Sequence, residues 1–265
     1  MKRLAVFLIP LLAALPAAAQ LYQPGEVLEY RVSYKAKLFP NTEVGSVEVA
    51  TSCGTHDGRP VYRVDARGRT LPTYRWFFDL DDRYTVCVDT AAMRPIHFSS
   101  DIKEGDYTFW SRYDYDWDRY EAATTWQSRR NPEQIKRIAL TDASLDAISL
   151  FFRMRSADPD SFRAGESEVL EMVLQDTVRR IRYRFEGREQ KKIRNMGKYR
   201  TLRFACQLGT TENFSFTDGT EFTIWISDDE NKIPLYLESP VRVGSVQAYI
   251  SGYRGLRYPV SSLIR

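Results

Sequence analysis

A hydrophobic alternation of period two recurs along nearly the whole chain after residue 20, and it constrains the fold more than any other feature. In the first run Leu28, Tyr30, Val32, Tyr34 and Ala36 fall on one side, and Glu29, Arg31, Ser33, Lys35 and Lys37 on the other. Such a period belongs to an antiparallel strand with one buried and one wet face. Tyr62, Val64 and Ala66 repeat it, as do Ile96 with Phe98, then Ile181, Tyr183 and Phe185, and finally Phe222, Ile224 and Ile226. Turn-forming runs separate these segments: Asp57-Gly58, Glu104-Gly105-Asp106, Asp218-Gly219 and Asp228-Asp229-Glu230-Asn231. Their spacing predicts about fourteen strands. The 16 tyrosines suit a pleated surface. The expected fold is therefore mainly β, either an antiparallel barrel or two curved facing sheets, with one central helix.

That helix is the one break in the pattern. Leu145, Ile148 and Phe152 recur at helical spacing after Thr141-Asp142, which can cap a helix start, and Asp158-Pro159-Asp160 stops it. The spacing predicts a helix over 143–155 that joins a half at 20–140 to a half at 156–265 within one β-rich domain, 20–265. The halves echo one another. Gly25-Glu26-Val27-Leu28-Glu29 is answered by Gly165-Glu166 with Val169-Leu170-Glu171, and Pro95-Ile96-His97-Phe98 by Pro234-Leu235-Tyr236-Leu237. A degenerate duplication would give two similar meanders closing one barrel or facing as two sheets.

The first residues read differently. Lys2 and Arg3 precede an apolar run from Leu4 to Leu15, followed by Ala17-Ala18-Ala19 and Gln20. This is the pattern of a secretory leader, residues 1–19, cleaved near Ala19. It predicts export to the periplasm or beyond, and no later stretch has the roughly 20 apolar residues of a membrane-spanning helix. Of 38 basic and 35 acidic residues, loss of Lys2 and Arg3 leaves 36 against 35. A net charge near zero, with export, argues against a nucleic-acid partner.

Chemistry is sparse. His56 lies beside the Asp57-Gly58 turn and His97 on the polar face of a strand, and no second pair accompanies Cys53-x-x-His56 to make a four-ligand zinc site. Both read as surface histidines, and no metal or cofactor is expected. Cys53 is in phase with Val47 and Val49, whereas Cys87 is out of phase with Val86 and Val88, so regular strands put them on opposite faces, which argues against a bridge. No Gly-x-Ser-x-Gly elbow is present. The carboxylates Asp79, Asp81 and Asp82, and Asp228, Asp229 and Glu230, fit turns and strand edges better than catalysis. No catalytic residue is assigned.

The chain resembles an uncharacterised exported family, domain of unknown function 3108. The resemblance rests on Gly25-Glu26-Val27-Leu28-Glu29-Tyr30, on Leu145-Asp146-Ala147-Ile148-Ser149-Leu150, and on Trp225-Ile226-Ser227-Asp228-Asp229 through Ile233-Pro234-Leu235 with Val243-Gly244-Ser245-Val246. It implies an exported β-rich protein and brings no functional residues with it.

Two surfaces stand out as binding candidates. Tyr113, Tyr115 and Trp117 share one aromatic strand face suited to an apolar or amphipathic ligand. Arg180, Arg182 and Arg184 form an outward basic row that could hold an anionic partner, or could be neutralised by the acidic segment around Asp101 to Asp118. Binding of an envelope lipid or glycan is the leading expectation. Docking on another envelope protein comes second and carboxylate-driven glycan hydrolysis third.

Overall fold

The structure is a computed structural model that describes residues 22–36, 39–156, 158, 160, 163–209, 221–241 and 244–265. The predicted leader and the Asp218-Gly219 turn lie outside the described residues. The first half of the chain holds β1 (Val27–Ala36), β2 (Phe39–His56), β3 (Arg59–Thr70), β4 (Asp81–Asp89), β5 (Pro95–Glu104), β6 (Tyr107–Asp116), β7 (Glu121–Ser128) and β8 (Gln134–Ala139). A two-residue β9 (Ser144–Leu145) and the helix α1 (Ala147–Arg155) follow. The second half holds β10 (Ser167–Leu174), β11 (Thr177–Ile193), β12 (Gly197–Leu208), β13 (Glu221–Ser227), β14 (Pro234–Pro240) and β15 (Ser245–Arg254), and ends on the short β16 (Leu263–Ile264).

All sixteen strands belong to one sheet. From one edge it runs β8 back to β1, crosses to β15, and continues down to β10 and β9, while β16 pairs with β12. Each half is thus an antiparallel meander, and the seam is the β1–β15 ladder, in which Val32 faces Ala248. The sheet is curled, and among the described residues its two edges stay unpaired. Edge strand β8 is largely exposed and carries Lys136 and Arg137, charges that discourage pairing with a second sheet edge.

The alternation read from the sequence sets which face turns inward. Leu28, Val64, Val86 and Val88 are fully buried and belong to one large core cluster, while Ile181, Phe185, Phe204 and Ile226 belong to a second. Helix α1 lies between the clusters, with Phe152 in the first and Leu150 in the second. The Phe152 ring stacks on Tyr22 with centroids 4.6 Å apart.

The helix begins four residues later than expected. Ser144 and Leu145 are extended and pair in parallel with Glu171 and Met172 of β10, so the predicted first turn becomes a strand bridge. Asp146 then caps the helix, its carboxylate accepting from the Ile148 and Ser149 N–H groups at 2.9 and 2.8 Å. Asp142 instead pairs with Arg94 at 2.6 Å. Another departure is at Ile96, the extra residue of a register shift between β4 and β5. It packs with Val61 and Cys87 in a third, small cluster, apart from Phe98. The three cysteines are free, Cys53 exposed and Cys87 and Cys206 buried.

The sequence echo has a structural counterpart. Gly25 and Gly165 share a left-handed φ, +87° and +90°. Each donates its N–H to the neighbouring strand, at Thr51 O and Phe185 O. The following Glu26 and Glu166 each donate to the carbonyl three residues back, and each accepts from the N–H of that same Thr51 or Phe185. Pro95 and Pro234 open β5 and β14, the fifth long strand of each half. The two meanders are thus entered by one repeated turn that only glycine adopts without strain.

Candidate functional site

A cavity of about 730 Å³ opens inside the curl, over the seam between the halves. Its walls come from inward residues of β1 to β4 and β13 to β15, among them Tyr30, Val47, Ala66, Tyr84, Leu237 and Ala248, and one side is closed by Ala147, Ile148 and Phe151 of α1. The lining is predominantly apolar. Space exists there partly because inward strand positions are small. A Cβ on Gly45 would meet the Arg69 carbonyl at 3.0 Å, so that position brings β2 and β3 close and presents no side chain to the cavity. Gly68, also in the wall, leaves ordinary van der Waals room against Leu80 and Val47.

The mouth is built by the segment between β3 and β4. A single 3₁₀ turn, Pro72–Tyr74, is followed by Trp76, Phe77 and Phe78, whose exposures are 84%, 80% and 46%. Tyr74, Phe77 and Phe78 reach the cavity lining. Three consecutive large aromatics this exposed are unusual on a water-facing surface. They break the two-residue alternation, and that break, with the inward glycines, was the sequence signal for the site.

Few polar groups face this interior. The Tyr30 hydroxyl is buried with no hydrogen-bond partner among the described residues. Burial pushes the Tyr30 phenol well above its usual range. Asp82 is the one carboxylate among the described lining residues. Burial raises it to about 6, although the Lys103 N–H donates to it at 3.1 Å; Glu104 and Asp81 push in the same direction as burial. Desolvation likewise pushes the Tyr84 phenol up to about 12.

The aromatic face singled out from the sequence lies elsewhere. Tyr113 and Tyr115 are buried, and neither they nor Trp117 border this cavity. The tip of the β10–β11 hairpin comes down on Tyr113, whose hydroxyl accepts from the Gln175 N–H at 2.8 Å. Tyr115 stacks on Trp117 with centroids 5.9 Å apart, and the Trp117 indole donates to Pro95 O at 2.7 Å. The Tyr115 hydroxyl is buried with no partner among the described residues.

The basic row lies on the outer face of β11, half-exposed, alternating with buried Ile181, Tyr183 and Phe185. It does not meet the acidic segment, because β11 pairs with β10 and β12 while that segment is on β5 and β6. Arg180 lies 3.6 Å from Glu171, and Arg184 lies 2.6 Å from Glu186. Arg182 faces Val169 and Gln207 in the ladders. The acidic residues find their own partners, Asp101 with Arg112 and Asp114 with His97. Asp81 pairs with Arg67 and Arg83, and Asp229 accepts from Ser227, Asn231, Lys232 and Ser262 to hold its turn, so neither carboxylate cluster forms an acid pair in the cavity. His56 and His97, expected as separate surface residues, stack with centroids 4.7 Å apart.

A single curled sheet wrapped round a helix, with an apolar interior that opens at one rim, defines a β-barrel-like protein. The chain belongs to the family described as Protein of unknown function (DUF3108), which matches residues 29–251. Among solved structures it is similar to a β-barrel-like protein of domain of unknown function DUF1849 from Brucella abortus. The TM-score is 0.56 at 8% identity, over 88% of this chain and 98% of that one. At that identity the likeness is one of fold. No curated protein matches the chain.

Proposed function

We propose that this protein is a non-catalytic carrier of the cell envelope that holds an apolar or amphipathic molecule inside the curled sheet. The observation that carries this reading is the cavity of about 730 Å³, which falls in the range of about 300–1,000 Å³ typical of small-molecule sites. Its apolar walls suit an acyl or comparable hydrocarbon chain, whose transfer from water is favourable by about 25 cal/mol per Å² buried. The Tyr30 hydroxyl, without a partner among the described residues, supplies a polar contact that would fix a ligand's orientation. The leader-like first 19 residues support an envelope location, where such molecules occur.

The test is displacement of a hydrophobic fluorescent probe by fatty acids, phospholipids and glycan fragments, run in parallel on the natural protein and on Gly68→Leu. Gly68 lies in the wall with room for a Cβ, so the variant fills the cavity while the strand is kept. Saturable displacement by a lipid, weakened at least tenfold in Gly68→Leu, is the expected result. Absence of saturable probe binding, or equal binding by a folded Gly68→Leu, would remove the carrier reading.

A further inference from the structure

Both histidines of this 265-residue chain meet at one point on the outer face of the sheet, away from the cavity. His56 is the last residue of β2, beside the Asp57-Gly58 turn, and His97 lies on β5 opposite Asp114 of β6. The rings stack with an interplanar angle of 28°, and His97 Nδ1 lies 2.7 Å from Asp114 Oδ1. One ligand atom from each of His56, His97 and Asp114 lies within 4.8 Å of the other two. Asp57 adds a second carboxylate at the edge, 3.7 Å from His56 Nε2.

We infer that His56, His97 and Asp114 form a binding site for a divalent transition metal that favours imidazole, namely Zn²⁺, Cu²⁺ or Ni²⁺. Two imidazoles and a carboxylate are the donor set these ions take, with water filling the remaining positions. Bonds of about 2.1 Å in tetrahedral geometry place ligand atoms about 3.4 Å apart, so closure from the present spacing needs side-chain shifts of about 1 Å. The side chains have that freedom, with exposures of 28% for His56, 20% for His97 and 67% for Asp114. The ion takes the place of the hydrogen bond between His97 and Asp114.

The test is calorimetric titration of the protein, purified without a polyhistidine tag, with Zn²⁺, Cu²⁺ and Ni²⁺ in turn. It is repeated with Cys53→Ser, which removes the exposed thiol three residues from His56. One equivalent of at least one ion should bind in both proteins. His56→Ala and His97→Ala should each weaken binding at least tenfold, and Asp114→Asn by about tenfold. The Cu²⁺ form should show two imidazole nitrogens in its electron paramagnetic resonance spectrum, a readout that does not depend on how any variant folds. No saturable binding by any of the three ions would overturn the inference. So would binding that survives His56→Ala and His97→Ala combined in one protein, that is lost with Cys53→Ser, or that shows no imidazole nitrogen.

Discussion

Glu26 and Arg155, 129 residues apart, form a bidentate ion pair inside the protein, with Arg155 Nη1 and Nη2 at 2.6 and 2.9 Å from the two carboxylate oxygens. Only 2% of the Glu26 side chain and 6% of the Arg155 side chain is exposed. The guanidinium also donates to Asn231 O, and Asn231 in turn bonds the backbone of Tyr258 and Pro259. The pair therefore ties the entry to β1, the end of α1, the β13–β14 turn and the C-terminal segment at one place. It sits beside the seam where the two meanders join, and α1, which it anchors, is one wall of the cavity.

Removing one partner leaves a buried, uncompensated charge, so Arg155→Ala should cost about 3 to 5 kcal/mol. Replacing both, as Glu26→Leu with Arg155→Met, should cost less than either single change, because two desolvated charges disappear together. Urea unfolding of the natural protein, Glu26→Leu, Arg155→Met and the double variant closes a double-mutant cycle and measures the coupling. A double variant less stable than Arg155→Met would contradict this account.

Phe152 is fully buried between Tyr22 and the Arg155 guanidinium, which lies 5.2 Å from the ring centre. Phe152→Ala should cost about 3 to 5 kcal/mol. For a chain of this size that lowers the melting temperature by about 6 to 20 °C. A melt within 2 °C of the natural protein would mean that the helix contributes little to the core.

The strand content and the helix were legible because period two and period 3.6 are local properties of the sequence. The start of the helix was not, since Asp142 and Asp146 are equally good caps, and the choice depends on β9 meeting β10, a contact between residues 27 apart. The cover over the aromatic face at Tyr113 was not legible for the same reason. That cover is the β10–β11 tip, 62 residues away at Gln175, and no periodicity reports which surface lands on which. Cavity and histidine pair are likewise products of long-range register, and only the inward Gly45 and Gly68 and the unbroken Trp76-Phe77-Phe78 run hinted at the former.

The row of Arg180, Arg182 and Arg184 should matter for association and little for folding. Half-exposed strand charges are each worth about 0 to 1 kcal/mol. Changing all three to Gln should leave the melting temperature within a few degrees and weaken binding to anionic vesicles. Vesicle binding by the natural protein that is insensitive to salt would count against an electrostatic role for the row.

Asp82 gives the cavity a pH signature whose sign follows from its burial. Its carboxyl rises from the ordinary 3.8 to about 6 in the folded protein, chiefly through desolvation. The folded state therefore holds this proton more tightly than the unfolded chain. Stability from Asp82 is fully present below about pH 4, falls as pH rises towards 6, and is flat above. Asp82→Asn keeps an acceptor for the Lys103 N–H and cannot ionise, so it should match the natural protein at pH 4 and exceed it by about 1 to 3 kcal/mol at pH 8. Taking the difference between the two proteins from pH 4 to 8 cancels the titrations that do not depend on Asp82. A ligand held in the cavity should deepen the effect, because it excludes the water that solvates the charged carboxylate. Saturation with such a ligand should then move the Asp82 midpoint further upward, measurable by carbon NMR of a protein labelled at its aspartates. A midpoint that stays near 4 with or without ligand would place Asp82 in contact with bulk water, not in the wall of an apolar chamber.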